Sequence, residues 1–332
     1  MKSVVITEHG APEVLQVQER PDPKPAPGEV AIDVVAAGVN FADVMARVGL
    51  YPDAPKPPVV VGYEVAGTVT ALGDGAQRFD VGDRVMAGTR FGGYSERVTA
   101  KADDVVTLPE RMSFEQGAAV PVNYLTAYLG LMRFGVLQPG ERVLIHAAAG
   151  GVGIAATQIA KRYGAEVLGT ASPQKHDAIR GFGVDHALDY TAPGWEKGLA
   201  KVDLVMDAVG GKSFRRSYEL LRPGGRLVCF GASAVMAGEK RNLVAAARAA
   251  LTMPRFSLIK QMSQSKSVIG LNMLTLWDEM GSLEPYLHAL EELITDGTIQ
   301  PVVAKAFSFA EAPAAHRYIS ERRNVGKVVL KP

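Results

Sequence analysis

The hydrophobic pattern changes its period at one place near the middle of the chain. Residues 143–145 form a short apolar run, typical of a strand that is buried on both faces. From Gly151 onward, apolar residues recur at helical spacing as far as Tyr163, and Gly164 follows where a helix C-cap is expected. The pattern therefore predicts a buried strand, a glycine-rich turn and a helix.

The alternation of strand and helix continues beyond this unit. Further strands are predicted at residues 165–171, 186–190, 202–209, 226–230 and 267–271, and helices at 173–182 and 214–221. Strands and helices that alternate at this spacing imply right-handed crossovers between parallel strands. The predicted fold class is α/β, with a Rossmann doubly wound parallel sheet.

The two ends of the chain follow a different pattern. Short β-prone runs in residues 1–121 are separated by glycine, proline and acidic turns, which is typical of a compact, mostly β domain; they lie at residues 30–35, 65–69, 84–86 and 95–98. Near the C-terminus, Ser308 and Glu311 have the spacing of a capping box. A helix is predicted at 283–294 and a closing strand at 326–330.

Composition narrows the class of protein. The chain has 332 residues and is 47% apolar, which is ample for two cores. Its net charge of +1 gives no electrostatic reason to expect a nucleic-acid partner. Its one cysteine, Cys229, excludes a disulfide framework and is expected to be a core thiol in a reducing compartment. No run approaches the roughly 20 apolar residues of a membrane span, so we expect a cytoplasmic protein.

The glycine-rich turn carries the first candidate chemistry. Aligned with the pattern G-x-G-x-x-G, its three positions are Ala148, Gly150 and Gly153. Gly150 would let the backbone approach a pyrophosphate, and Gly153 would let helix and strand pack closely. The free N–H groups at the start of the helix favour an anion. Any tight strand-to-helix turn favours glycine, so the dinucleotide interpretation depends on the surrounding α/β pattern.

The end of the second strand predicts which dinucleotide binds. Proteins that bind NAD usually place a carboxylate about 20 residues after the glycine turn, but residues 169–175 contain no acid. Ser172 and Lys175 can instead donate to a 2′-phosphate, which a carboxylate would repel. The alternative for Ser172 is that it caps the following helix. NADPH is therefore predicted in preference to NADH.

Several motifs along the chain resemble one family. They are GVNFAD (38–43), GLY (49–51), GYEVAG (62–67), GDRV (82–85) and AAAGGVG (147–153). In this order they resemble the zinc-independent quinone oxidoreductases, the zeta-crystallin-like branch of the medium-chain dehydrogenase/reductase superfamily. Residues 123–128 and 240–243 resemble its vesicle amine transport protein-like subgroup. The resemblance implies a GroES-like β-rich catalytic domain from residues 1–121 and 273–332, with the Rossmann domain, residues 122–272, inserted between them.

Metal chemistry is disfavoured by the residues present. A catalytic zinc needs about three protein ligands, and a structural zinc lobe needs about four cysteines. Where zinc-dependent relatives carry a cysteine ligand and the histidine of a G-H-E motif, this sequence has Asn40 and Tyr63. The six histidines form no H-x-x-x-H pair. We expect no metal, and without a Lewis acid a zinc-type alcohol dehydrogenation is disfavoured.

The resemblance also implies which residues form the site. On the substrate side, Tyr51 would donate to the carbonyl or enolate oxygen, Asn40 would orient the acceptor or the nicotinamide ribose, and Asp43 would hold that network. Helix capping is the alternative for Asn40 and Asp43, and Met45 stands where one family tyrosine is found. The residues implied to bind the cofactor are Thr126, Ala148, Gly150, Gly151, Val152, Ser172, Lys175, Tyr190, Phe230, Gly231, Ala232 and Asn324.

Together these expectations predict hydride transfer from NADPH to a quinone or to the C=C bond of an α,β-unsaturated carbonyl, without zinc. A homodimer is expected through the edge strand at 267–271. The rival is a non-catalytic NADPH-binding protein that acts at membranes or RNA. The basic, amphipathic segment 236–266 leaves three roles open: a membrane-surface segment, an active-site cover or a subunit contact.

Overall fold

The N-terminal region is rich in β structure, as its alternating pattern predicts. The structure, a computed structural model, describes residues 1–236, 247 and 251–332, so the motif at 240–243 and much of the basic segment 236–266 lie outside the described residues. The elements of this region are β1 (Lys2–Ile6), β2 (Leu15–Glu19), β3 (Glu29–Val39), α1 (Phe41–Val48), β4 (Glu64–Leu72), β5 (Arg84–Gly88), β6 (Arg97–Lys101), β7 (Val105–Thr107) and α2 (Phe114–Gly117). β6 begins two residues later than predicted.

The middle of the chain alternates strands and helices. Its elements are α3 (Pro121–Tyr128), β8 (Arg142–Ile145), α4 (Gly151–Arg162), β9 (Glu166–Ala171), α5 (His176–Gly181), β10 (His186–Asp189), β11 (Val202–Asp207), α6 (Lys212–Leu220), β12 (Leu221–Cys229), α7 (Leu258–Gln264) and β13 (Ser267–Gly270). The six strands pair in parallel in the order β10-β9-β8-β11-β12-β13. This order is that of a Rossmann sheet, so the predicted α/β fold class is confirmed.

One predicted boundary in this region was wrong, the start of β12. The helix predicted over 173–182 is present as a 3₁₀ turn at Pro173–Lys175 followed by α5. β12 begins at Leu221, five residues earlier than predicted, because it continues directly from α6 and already pairs with Val202 there. Gly164, with φ of +77°, follows the end of α4 where a cap was predicted.

The C-terminal elements return to the β-rich region. They are α8 (Met273–Met280), α9 (Glu284–Thr295), β14 (Val303–Ser308), α10 (Ala312–Ser320) and β15 (Lys327–Lys331). The capping box is present, because the Ser308 backbone N–H donates to Glu311 at 2.9 Å. β15 lies between β14 and β3, so both ends of the chain form one sheet, as the GroES-like domain requires. The boundaries at 121/122 and 272/273 stay predictions.

The two sheets touch where β15 begins. The Gly326 backbone N–H donates to the Ala149 carbonyl at 2.8 Å, and Gly326 forms an isolated parallel bridge with Gly150. Gly326 has φ of +93°, and a Cβ atom there would overlap the Val302 carbonyl oxygen. Glycine therefore permits the close approach to Val302, and the backbone of Gly326 also contacts the glycine-rich turn. Among the described residues, no helix has the length and apolar character needed to cross a membrane.

Candidate active site

A cleft of about 1440 Å³ is lined by residues of both the parallel sheet and the β-rich region. The carboxyl ends of β8, β9, β11, β12 and β13 open into it, which is where ligands bind in open α/β sheets. Two predicted site residues, Ala148 and Asp43, are buried and do not line the cleft. Those that line it are Asn40, Tyr51, Thr126, Gly150, Gly151, Val152, Ser172, Lys175, Tyr190, Phe230, Gly231, Ala232 and Asn324.

The glycine-rich turn contributes its backbone to the cleft. Gly150 stands at the N-cap of α4, so the first N–H groups of this helix are presented without an intervening side chain. A Cβ atom on Gly153 would overlap the Ala147 carbonyl and the Ala148 backbone, so Gly153 has the packing role that the sequence predicts. Ala148 instead packs toward Gly169 of β9. Because Ala148 does not line the cleft, its position does not support the predicted contact with the cofactor.

A corner of the cleft gathers the residues predicted to meet a 2′-phosphate. Ser172 stands at an N-cap position, but within the described part of the chain its hydroxyl makes no capping hydrogen bond. The Lys175 Nζ donates to the carbonyls of Arg322 and Asn324, at 2.6 and 2.7 Å. Burial, and then the nearby Arg322 guanidinium, lower the pKa of Lys175. Two cations held this close together, with Tyr190 also in the lining, fit an anionic group.

Arg322 was missed by the sequence reasoning. It lies 147 residues after Lys175 and reaches the corner only because the loop between α10 and β15 returns to the parallel sheet. Its φ of +56° marks a turn that ordinary residues seldom adopt. No local pattern around it indicates a phosphate site, so only the fold could place it there.

Tyr51 faces the cleft from the loop after α1. Its ring packs edge-on against Tyr63 with centroids 6.3 Å apart, and Tyr63 packs against Phe91 at 5.3 Å. Burial raises the pKa of Tyr51 to about 12, so its hydroxyl remains protonated and can donate at neutral pH. The Tyr63 hydroxyl is buried, and it has no hydrogen-bond partner among the residues that the structure describes.

The Asn40 side chain is held from behind by a buried ion pair. Its Oδ1 accepts from Lys327 Nζ at 2.6 Å, and its Nδ2 donates to Glu64 Oε1 at 3.0 Å. Lys327 and Glu64 also pair directly with one another. The second Glu64 oxygen accepts from the Val122 backbone N–H at 2.7 Å. Sequence reasoning missed this pair, although a charged residue in the apolar stretch GYEVAG was an available signal.

Asp43 lies behind Asn40 and does not reach the cleft. Its carboxylate accepts from the backbone N–H groups of Asn40 and Gly62, at 2.7 and 3.0 Å, and from the Tyr94 hydroxyl at 2.9 Å. Burial raises the pKa of Asp43 to about 7. The helix-capping alternative therefore accounts for the contact between Asp43 and the Asn40 backbone. Asp43 can affect the cleft only through the backbone groups that it holds.

Other titratable groups near the cleft have structural partners. His146 contacts Thr170 Oγ1 and Ser217 Oγ, at 3.2 and 3.0 Å, and burial lowers its pKa. Cys229, expected to be a core thiol, is only part-buried and lines the cleft; burial still raises its pKa to about 12. Across residues 1–236, 247 and 251–332, no three His, Cys, Asp or Glu side chains are grouped to hold a metal ion. Zinc independence stays a prediction.

Comparison with known proteins places the chain in a family. Residues 26–110 match the alcohol dehydrogenase GroES-like domain, and residues 182–330 match the zinc-binding dehydrogenase model. The human synaptic vesicle membrane protein VAT-1 homolog is 38% identical over 340 residues, which cover 100% of this chain and 86% of that protein. The chain belongs to the medium-chain dehydrogenase/reductase superfamily. The predicted family and its VAT-1-like subgroup are thus confirmed.

Solved structures of other superfamily members agree with this assignment. The quinone oxidoreductase of Thermus thermophilus, whose structures include a complex with NADPH, is 35% identical, with a TM-score of 0.82 and 100% of both chains covered. The CurK enoyl reductase is 29% identical, with a TM-score of 0.86 and coverage of 99% of this chain and 98% of that one. The chain is therefore a member of an oxidoreductase family with quinone oxidoreductase and enoyl reductase neighbours.

Proposed function

We propose that the protein transfers a hydride from NADPH to a quinone or to the C=C bond of an α,β-unsaturated carbonyl, without zinc. One observation carries the proposal: a single cleft joins the cationic corner of Lys175 and Arg322 to the hydroxyl and amide of Tyr51 and Asn40. When bound, NADPH would supply the hydride. The quinone oxidoreductase and enoyl reductase neighbours support this choice of reaction.

The residues of the cleft fit NADPH along its length. The N–H groups at the start of α4 would bind the pyrophosphate, because a helix N-terminus favours an anion. Ser172, Lys175 and Arg322 would bind the 2′-phosphate by charge-assisted hydrogen bonds. A Cβ atom on Gly151 would overlap the Asn123 amide, so glycine keeps this stretch of the wall close to α3. The inner part of the cleft would bind the nicotinamide and is lined by Thr126, Phe230, Gly231 and Ala232.

The acceptor side is mainly apolar, with Tyr51 and Asn40 as its candidate polar contacts. Met45, Met273 and Leu276 line it, and such walls suit a quinone ring or the carbon chain of an enone. Tyr51 would donate to the acceptor oxygen, where negative charge develops as the hydride arrives. A tyrosine hydroxyl is already protonated at neutral pH with its ordinary pKa, and burial raises the pKa of Tyr51 further, so Tyr51 would act as a donor and not as a base.

The test is a panel of acceptors measured by loss of NADPH absorbance. The panel contains quinones, linear enals and cyclic enones, each with NADPH and with NADH, before and after treatment with a zinc chelator. We expect turnover of at least one class, a preference for NADPH, and no effect of the chelator. A rate that disappears with chelation, together with about one tightly bound zinc per chain, would favour an alcohol dehydrogenase instead.

A second candidate is a non-catalytic NADPH-binding protein that acts at membranes. It is favoured by α7, where Leu258, Ile259 and Met262 are 75%, 80% and 79% exposed. Arg255 and Lys260 lie in the same stretch, and an apolar helix with basic neighbours can bind an anionic membrane surface. Stoichiometric NADPH binding without turnover of any acceptor, together with binding to anionic vesicles, would favour it. The net charge of +1 gives RNA no comparable support.

The protein is further proposed to be a cytoplasmic homodimer. β13 stands at the edge of the parallel sheet, and pairing with the same strand of a second copy would satisfy its outer backbone groups. Light scattering should then give twice the chain mass of 35.3 kDa at micromolar concentration. A mass near that of one chain would contradict the dimer.

A further inference from the structure

We propose that Lys327 and Glu64 are positioning residues, whose buried ion pair fixes the Asn40 amide in the one orientation that presents an N–H to the acceptor or to the nicotinamide ribose. The inference rests on the proposed function and adds to it the two residues that prepare the substrate side. Neither is a catalytic residue, because both would act through Asn40.

The ion pair distinguishes the two ends of the amide. The Lys327 ammonium can only donate and the Glu64 carboxylate can only accept. The observed orientation gives Lys327 the carbonyl oxygen and gives Glu64 the amide nitrogen. Rotating the Asn40 amide by half a turn would place two donors together at Lys327 and two acceptors together at Glu64. Only one orientation is therefore compatible with the pair.

The fixed amide keeps one hydrogen-bond donor for a ligand. One N–H of Nδ2 is used by Glu64, and the other has no protein partner among the described residues. Asn40 and Lys327 both line the cleft, but the Lys327 side chain is only 3% exposed and the Glu64 side chain 0%, so the Asn40 amide is the polar group available to a ligand. Burial protects the pair from water and from salt, so the amide remains directed even when no ligand is present.

The same pair connects the substrate side to the cofactor side. Lys327 directly follows Gly326, whose N–H donates to the Ala149 carbonyl of the glycine-rich turn at 2.8 Å. Glu64 accepts from the Val122 N–H in the first turn of α3, the helix that carries Thr126. Through this ion pair, the Asn40 amide is therefore held by the same backbone segments that form the cofactor side of the cleft. This arrangement would align acceptor and nicotinamide, on which the rate of hydride transfer depends.

The experiment compares two variants. The single variant carries Lys327→Met, and the double variant carries Glu64→Gln together with Lys327→Met. The single variant leaves Glu64 as a buried unpaired charge and is expected to unfold at a lower temperature, whereas the double variant leaves no unpaired charge. In the double variant we expect the kcat for an enone to fall about tenfold, while the Kd for NADPH changes less than about threefold. Lys327→Arg keeps a cation at this position, so its kcat should lie between those of the double variant and the wild type.

Lys331→Met is the matched control. Lys331 lies on the same strand and forms an ion pair with Glu115 at 2.7 Å, but it does not line the cleft. Its loss should leave kcat and the Kd for NADPH unchanged. A fall in kcat for this variant equal to that of the double variant would show that any weakening of β15 slows the reaction, and would overturn the positioning role.

Asn40→Ala separates positioning from a merely structural role. If Lys327 and Glu64 act through Asn40, the double substitution should cause no further loss of kcat in an Asn40→Ala background. A further loss of the full size there would overturn the inference. If the wild-type protein reduces no acceptor, the proposed function fails, and the side-chain amide resonances of Asn40 then decide. Protection of the Asn40 amide protons from exchange with water in the wild type, lost in the double variant, would support fixation, and equal protection in both would contradict it.

Discussion

The cofactor side and the acceptor side of the cleft are built by opposite means. On the cofactor side, the wall at the start of α4 is backbone, because Gly150, Gly151 and Gly153 lie in a single turn. On the acceptor side, Asn40 depends on an ion pair between Glu64 and Lys327, which are 263 residues apart. The comparison teaches that the glycine-rich turn of a cofactor site can be encoded by consecutive residues, whereas the position of Arg322 and the orientation of a substrate contact depend on the completed fold.

The largest effect that would sharpen this comparison is expected from Gly153→Val. The added side chain would meet the Ala147 carbonyl and the Ala148 backbone, which cannot move aside as a side chain can. Overpacking costs about 1–3 kcal/mol of folding stability. Because the turn would have to shift to relieve the overlap, we also expect its N–H groups to lose their position and the NADPH affinity to fall about 100-fold. Calorimetric titration measures it. Gly181→Ala, where the added atom meets open space, is the control, and equal losses in both would contradict the packing role.

The next effect is expected on the acceptor side, from Tyr51→Phe. Its hydroxyl would donate to an oxygen that becomes negative only as the hydride arrives, so the contact strengthens toward the transition state. Losing one such donor costs about 2.7–4 kcal/mol, and less in a hydrated site. We expect the kcat for enones to fall severalfold to about a hundredfold with little change in KM.

Steady-state kinetics with several acceptors tests the Tyr51 prediction. Quinones should be affected less, because their reduced oxygens are better stabilised. Tyr318→Phe, outside the cleft lining, is the control. If Tyr51→Phe leaves kcat unchanged for every acceptor, Tyr51 is only a wall of the cleft and the proton comes from water.

A smaller effect, limited to one cofactor, is expected from Lys175→Ala. A charge-assisted hydrogen bond to phosphate contributes about 1.5–3 kcal/mol, so the KM for NADPH should rise about tenfold while that for NADH hardly changes. Arg322 would keep part of the phosphate affinity. Lys161→Ala, which removes an ion pair to Asp185 away from this corner, should change neither value. Equal losses with both cofactors would remove the basis for choosing NADPH.

The last effect concerns stability and not the chemistry of the cleft, and it comes from Asp43→Asn. Because burial raises the pKa of Asp43 from 3.8 to about 7, the native state holds a proton between about pH 4 and 7 that the unfolded chain has released. The free energy of unfolding should therefore fall as the pH rises through this window, by at most about 1.4 kcal/mol per pH unit. Asp43→Asn should remove this pH dependence, whereas the control Asp103→Asn, at an exposed position, should keep it. Urea titrations at several pH values across the window measure the free energy of unfolding of both variants. Equal slopes in the two variants would contradict the prediction.

What could be predicted from the sequence follows the same division between local and long-range structure. The strand, glycine turn and helix around Gly150 were predicted because consecutive residues carry the change of period. Ser172 and Tyr51 were placed in the cleft by motifs a few residues long. Arg322 and Lys327 could not be found, because their roles arise only when the C-terminal strand returns to the parallel sheet. Ala148 and Asp43 belong to the right motifs, but their side chains face the interior.

The position of β15 has a consequence for the making of the protein. This strand lies between β14 and β3, so the β-rich sheet has a gap until residues 327–331 have been synthesised. The parallel sheet, complete by residue 270, has no such dependence. During translation the end of β3 at residues 37–39, which β15 covers in the finished sheet, would therefore stay open to other strands, and such edges promote aggregation. We expect nascent chains that stall before residue 327 to be the species that most needs a chaperone.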